Sequence, residues 1–267
     1  MIGADTGRLS GWPEAVRADI AAYYTRYYRD TLRIPSWEAL VAARLDEEAG
    51  EAAHLRRVEE ALGRPVSGLA VLNVGCGTGG FNVVARRAGA RVYGIDADLD
   101  AAGVSAAKAR QAGGSVLAAA GERLPFRDGV FDLVHCFSTL EHVDDGAATI
   151  AEMVRVARPG GAVYVHTPSA WACYETHYKV FWPPLLPRPL ARLYLRLRGR
   201  PTAFLETLRL LTPGRLDGLF ARAGACPVRL PPPGGPLRES GSPLWPLVRL
   251  YYRLFGVTTY LEVLARR

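Results

Sequence analysis

Between residues 69 and 166 five short apolar runs alternate with helical stretches, and this alternation constrains the fold more than any other feature of the chain. LAVLNV (69–74), RVYGI (91–95), SVLAA (115–119), FDLVHCF (131–137) and GAVYVH (161–166) read as buried strands, with helices over 79–88, 98–112 and 144–157. Strands joined through helices pair in parallel, because each connection must cross back over the sheet. The pattern therefore predicts a doubly wound α/β sheet covered on both faces, with any ligand at the carboxyl ends of its strands.

The first of these ends carries the clearest chemical signal, VLNVGCGTGGF (71–81). Gly75, Gly77 and Gly79 let the backbone turn tightly after the strand and approach a ligand closely before a helix begins. Such a loop serves several nucleotides, so the end of the next strand matters more. Asp96 stands there, 21 residues after Gly75, where a carboxylate accepts from both hydroxyls of a ribose. Asp98 and Asp100 then start a helix, where its dipole favours acidic groups.

GCGTGG (75–80), the strand-terminal Asp96, GERLPFRDGVFDLVHCFSTLEHVDD (121–145) and RPGGAVYV (158–165) together resemble the ordered motifs of class I S-adenosylmethionine-dependent methyltransferases, over residues 66–169. The resemblance implies a Rossmann-like seven-stranded sheet with S-adenosylmethionine as cofactor and S-adenosylhomocysteine as product. It also implies that Gly75, Cys76 and Gly77 pass their backbones under the methionine and ribose portions. Asp96 then takes the ribose with Ala97 beside the adenine, and Phe137 and Ser138 line the cofactor near its sulfonium. Two positions depart from the family pattern. Asn73 stands where an acid is usual, leaving a carboxamide oxygen for the cofactor's ammonium. Ala120 stands where an acid normally meets the adenine amino group, leaving the Gly121 N–H, and Glu122 reaching across, for the adenine edge.

Methyl transfer from a sulfonium is an in-line displacement that needs the nucleophile aligned and water excluded, with no covalent enzyme intermediate. An alcohol acceptor also needs a base, for which His177, His142 and His166 are the candidates. His177, in CYETHYKVFW, leads; His142 follows the fourth strand, and His166 ends the fifth. His54 and His135 read as structural. Two rival functions share the glycine loop: a nicotinamide-dependent oxidoreductase, and a catalytically silent protein of methyltransferase fold, the latter motivated by Asn73 and Ala120. The first leaves LPF, FDLV and LEHV unexplained.

The outlying segments add an N-terminal helical cap (1–65), the cofactor core (66–168), an acceptor lid (169–211) and a C-terminal completion of the sheet with a basic, Pro-rich insertion (212–267). Trp12–Asp30 and Ser36–Leu62 read as helices, Ser36 as an N-cap, and Thr212 with Pro213 as the start of another. Tyr23, Tyr24, Tyr27 and Tyr28 share one helical side, as a packing stripe or an aromatic lid over a ligand. Cys226–Leu230 and Thr259–Ala265 read as the last two strands.

The formal charge of +7 is uneven: residues 1–170 hold 18 basic and 21 acidic side chains, residues 171–267 hold 15 and 5. Arg188, Arg192 and Arg196 form one face of a predicted helix with Leu190, Leu193, Tyr194 and Leu197 opposite, and PLVRLYYRLFG (246–256) has the same character. A basic acceptor side suits a solvated lid, or an anionic membrane or lipid-linked acceptor; no Lys/Arg block or recognised module points to nucleic acid. The segment around HYKVFWPPLLPRPLARLYLRLRGR loosely resembles methyltransferases of surface-polysaccharide and secondary-metabolite pathways, which implies a sugar or other hydroxylated acceptor. Four scattered cysteines without C-x-x-C and no histidines at ligand spacing imply a reducing compartment and no metal site. Neither a signal peptide nor a run of about 18 apolar residues is apparent. The expectation is a cytoplasmic monomer or homodimer, with peripheral membrane contact in the lipid-linked case.

Overall fold

A computed structural model of the chain describes residues 11–231 and 245–267. The first ten residues and most of PPPGGP (231–236) lie outside them. Seven strands form one sheet: β1 (Ala70–Val74), β2 (Arg91–Asp96), β3 (Ser115–Ala118), β4 (Phe131–Phe137), β5 (Ala157–Pro168), β6 (Cys226–Arg229) and β7 (Tyr260–Arg266). Their spatial order is β3-β2-β1-β4-β5-β7-β6. β1 to β5 are parallel, and β7 runs antiparallel between β5 and β6. The order reverses at β1, which pairs with β2 on one side and β4 on the other, and that switch point opens a crevice at the strand ends.

The described residues also hold nine α-helices: α1 (Glu14–Thr25), α2 (Trp37–Arg44), α3 (Glu47–Leu62), α4 (Gly80–Arg87), α5 (Leu99–Ala112), α6 (Gly146–Val156), α7 (Arg188–Leu197), α8 (Pro213–Arg222) and α9 (Trp245–Phe255). Val74, Cys136, Val165 and Val263 pack beneath α6 and α8, while Val71, Leu133, Tyr164 and Leu264 pack beneath α3 and α4. The strands are apolar on both faces because both are covered. Asp98 caps α5 by accepting from the Asp100 and Ala101 N–H groups, and the Thr212 side chain caps α8.

Three local expectations need correction. The predicted helix over Ser36–Leu62 is two helices, broken at Leu45 and Asp46, a turn that aims Glu47 and Glu48 into the interior. Ser36 precedes α2 but makes no side-chain cap bond. In α7 the buried residues are Ala191 and Leu195, whereas Leu190, Leu193 and Leu197 are exposed. Arg188 and Arg192 turn instead toward Glu206, and Arg188 also donates to the Leu205 and Leu208 carbonyls, so the helix docks by its arginine edge.

Candidate active site

The carboxyl ends of β1, β2 and β4 open into a cleft of about 750 Å³, within the usual size of a small-molecule site. Gly75, at φ +70°, passes so close to the loop after β4 that a Cβ there would lie 2.1 Å from Thr139 Oγ1. Gly77, at φ +54°, faces open space. The loop is thus a floor of bare backbone along the cleft.

Asp96 stands beside this floor. Its Oδ2 accepts from the Gly77 N–H at 2.7 Å and its Oδ1 from the Asp98 N–H at 2.8 Å. Burial pushes the Asp96 carboxyl above its ordinary value, and these N–H groups oppose that shift. Ala97, Ala119, Ala120, Gly121 and Val143 continue the wall with small apolar surfaces. Glu122 borders the cleft too, but its Oε1 accepts from the Asp144 N–H at 2.8 Å, which ties it to the approach to α6. On the opposite wall lie Phe137 and Ser138. Ser138 adopts φ +49°, a left-handed conformation rare outside glycine, at the turn that leaves β4 for the cleft.

Residues of the segment after β5 line the cleft as well. A hairpin, Tyr174–Glu175 with Val180–Phe181, carries His177, and the 3₁₀ turn Ala203–Thr207 carries Phe204. His177 Nδ1 meets Glu175 Oε1 at 2.7 Å, and both Glu175 and Glu141 are buried behind it. His142 packs edge-on to His177, with ring centroids 5.0 Å apart, and burial lowers its pKa to about 4. Glu141 accepts from Thr167 Oγ1 at 2.9 Å through Oε2, and burial raises its pKa to about 7. The tyrosine stripe is both wall and packing: all four rings border the cleft, Tyr24 and Tyr28 are buried, and Tyr27 meets Phe204 edge-on at 5.7 Å.

Three predicted residues do not border the cleft. Asn73 lies under the loop in a buried chain, where its Nδ2 donates to Asn82 Oδ1 at 2.9 Å and its Oδ1 meets His135 Nδ1 at 2.7 Å. His135 Nε2 in turn meets His54 Nε2 at 2.8 Å. With His135 Nδ1–H donating to Asn73, the His54 Nε2–H must donate to His135, so both imidazoles are neutral. Burial agrees, lowering His54 to about 4 and His135 well below its ordinary value. Cys76 turns its thiol away from the cleft toward Ser105, where burial raises its pKa to about 12. His166 lies behind the wall between Phe137 and Tyr260, with centroids 4.1 and 4.4 Å away.

A buried polar group that local pattern does not reveal supports the loop from the N-terminal helices. Thr78 Oγ1 donates to the Glu47 carboxylate at 2.8 Å. Lys108 Nζ, on α5, donates to Glu47 Oε1 at 2.6 Å and Glu48 Oε1 at 2.7 Å, and Trp12 Nε1 donates to Glu48. Tyr24 bridges to Thr78, and Arg44 lies over its ring at 4.9 Å. Glu47 and Glu48 read in sequence as acids at a helix start, with nothing to mark their partner about sixty residues away.

Residues 72–165 match a protein family described as "Methyltransferase domain". The ubiquinone biosynthesis O-methyltransferase of Rhizobium etli is 30% identical over 166 residues, covering 54% of this chain and 67% of that protein. Norajmaline N-methyltransferase of Rauvolfia serpentina is 30% identical over 167 residues, covering 53% and 56%. Other curated relatives are matched over somewhat less than half their length. Among solved structures, an S-adenosylmethionine-dependent methyltransferase from Mesorhizobium loti superposes with a TM-score of 0.56 at 20% identity, covering 82% of this chain and all of that one. The residues present suit that cofactor: a carboxylate for its ribose diol, bare loop backbone beneath it and small apolar surfaces for a flat base. The chain belongs to the class I S-adenosylmethionine-dependent methyltransferases.

Proposed function

We propose that the protein transfers a methyl group from S-adenosylmethionine to an oxygen of a small hydroxylated molecule or sugar held beside His177 in the cleft. The observation that carries this reading is that one cleft is lined both by the glycine loop with Asp96 and by His177, whose Nδ1 is held by the buried Glu175. Bound there, the cofactor supplies an electrophilic methyl group on a sulfonium. Asp96 would accept from the ribose hydroxyls, Ala97, Ala120 and Gly121 would flank the base, and Gly75 and Gly77 would let the loop lie beneath.

His177 donates its Nδ1–H to Glu175, which leaves Nε2 as the basic nitrogen and fixes the ring plane. That nitrogen takes the proton of an acceptor hydroxyl. His142, kept neutral by burial, and the aromatic faces of Tyr27 and Phe204 shape the acceptor space and exclude water. An oxygen acceptor fits a site that has a base, and agrees with the names of the ubiquinone relatives; the N-methyltransferase relative makes nitrogen the alternative.

A lipid-linked or membrane-borne acceptor is supported by α7 and α9. Both expose leucines (Leu190, Leu193, Leu197; Leu247, Leu250, Leu254) on helices that carry arginines. No helix among the described residues is long and apolar enough to cross a membrane.

The test is methyl transfer from labelled cofactor to a panel of phenols, sugars and amines, with His177→Ala beside the wild type. The reading expects an oxygen acceptor and a kcat lower by about 10²–10⁴ in the variant, with the dissociation constant of S-adenosylhomocysteine unchanged. An unaltered kcat removes His177 as the base. Absence of S-adenosylhomocysteine binding at millimolar concentration favours the silent protein instead.

A further inference from the structure

Glu141, His142 and His177 bring three metal-ligating atoms within 4.8 Å of one another in the wall of the cleft. His177 Nε2 lies 3.7 Å and His142 Nε2 4.0 Å from Glu141 Oε1, too far for hydrogen bonds. Glu141 is fully buried, yet its Oε1 has no hydrogen-bond partner among the described residues. A buried carboxylate oxygen left without a donor is costly, and two imidazole nitrogens from residues lining the cleft stand within 4.0 Å of it.

The surroundings orient these atoms as they would orient ligands. Thr167 Oγ1 occupies Glu141 Oε2 at 2.9 Å and leaves Oε1 free to point at the imidazoles. Glu175 accepts the Nδ1–H of His177 at 2.7 Å, which presents the Nε2 lone pair in the carboxylate–histidine arrangement that steadies metal-bound imidazoles. The Arg209 N–H donates to the Glu141 carbonyl at 2.7 Å, pinning the backbone between β4 and the lid. Bonds of about 2.0–2.2 Å in a tetrahedral site set ligand atoms about 3.4 Å apart, so Glu141 Oε1 must close on the two imidazoles by about 0.3 and 0.6 Å, and the two imidazole nitrogens, within 4.8 Å of each other, by at most about 1.4 Å. Two imidazoles and one carboxylate are also the ligand set of hydrolytic zinc sites that keep a fourth position open.

We propose that Glu141, His142 and His177 bind one divalent transition-metal ion of the zinc type, with its open position facing the acceptor end of the cleft. An adjacent Glu-His pair joined by a lid histidine 35 residues later has none of the spacings that mark metal sites in sequence, and so gives no expectation of one. The role of the ion rests on the methyl-transfer reading: a hydroxyl bound at the open position releases its proton to solvent more readily, and the metal-bound oxygen is then the nucleophile. With the ion in place, His177 acts as ligand, and as base only without it. Binding of the ion does not depend on that reading.

The experiment uses the full, untagged chain stripped of metal with a chelator and titrated with Co²⁺ and Zn²⁺. The expected result is one equivalent of Co²⁺ with the visible absorption of a four-coordinate ion, displaced by Zn²⁺. His177→Ala and Glu141→Gln should each weaken binding at least tenfold, and Glu175→Gln by about 10–100-fold through the outer shell. S-adenosylhomocysteine affinity, unchanged in all three, reports that they fold. No absorption change at 1 mM Co²⁺, or binding that none of the three variants alters, overturns the proposal. Methyl transfer that is His177-dependent yet indifferent to chelation overturns the role given to the ion in the reaction and leaves the base reading standing, while the site itself stands or falls on the titration. One-to-one binding through these residues in a protein that methylates nothing upholds the metal site and refutes the methyl-transfer reading.

Discussion

Replacing Lys108 by methionine tests how the N-terminal helices hold the glycine loop. Lys108 is fully buried, and its ammonium is the cation that Glu47 and Glu48 both contact, at 2.6 and 2.7 Å. Methionine keeps most of the volume, so little of the effect comes from a cavity. What remains is two buried carboxylates facing each other without their cation, with only Arg44 at 4.0 Å from Glu47. Removing one partner of a buried ion pair costs about 3–5 kcal/mol, or about 5–9 °C in Tm for a chain of this size. Thermal and urea unfolding at pH 7.5 measure it. The deficit should narrow as the pH falls, because protonation relieves carboxylates that no longer face a cation. Adding Glu47→Gln and Glu48→Gln should restore most of the loss. A Lys108→Met protein within about 1 kcal/mol of wild type at pH 7.5, with no pH dependence of the difference, refutes the argument that this lysine anchors the cap.

Other parts of the molecule give further expected outcomes. Gly75→Ala should weaken S-adenosylhomocysteine binding and lower Tm, because its Cβ would overlap Thr139. Gly77→Ala meets no atom within 4 Å and should cost only the left-handed strain of about 1–2 kcal/mol in stability; equal effects in calorimetry and melting would contradict the loop geometry. Burial lowers His54 to about 4 and His166 to about 3, from 6.5 in the unfolded chain. The unfolded state therefore takes up protons first, and stability present above pH 6.5 is lost as the pH falls toward 4, by about 2 kcal/mol at pH 5 for His54 alone; a Tm flat from pH 7 to 5 speaks against neutral burial. Vesicles rich in anionic lipid should recruit the protein at low salt, and Leu193→Glu with Leu197→Glu should abolish it; flotation identical in wild type and variant removes α7 as the contact.

Much of the core is legible in the sequence because its signals are local. Short apolar runs, glycine punctuation, the acidic helix start at Asp98 and the Thr212–Pro213 start each act within a few residues, and all match the structure. The ends of β1, β2 and β4 then bring Gly75, Gly77, Asp96, Phe137 and Ser138 to one cleft. The features that escape a reading of the sequence depend on partners far apart in the chain. Asn73 reads there as a weakened cofactor contact, yet it belongs to a buried chain through His135 to His54. The break before Glu47 makes sense only with Lys108 in view, and the outward leucines of α7 only with the buried Ala191 and Leu195 and the Glu206 pairs of Arg188 and Arg192 in view. Glu141 is inconspicuous inside LEHV, because burial and an unpartnered oxygen have no sequence signature.

The central claim is that the cleft at the switch point holds the methyltransferase cofactor through Asp96 and the loop. Calorimetric titration of S-adenosylhomocysteine into wild type and Asp96→Ala tests it most directly, with NAD⁺ as the comparison ligand. The account predicts one site per chain, no NAD⁺ binding, and an affinity at least tenfold weaker in the variant, since two charge-assisted hydrogen bonds contribute about 1.5–3 kcal/mol each. Equal affinity in the two proteins, or binding of NAD⁺ in place of S-adenosylhomocysteine, would contradict it.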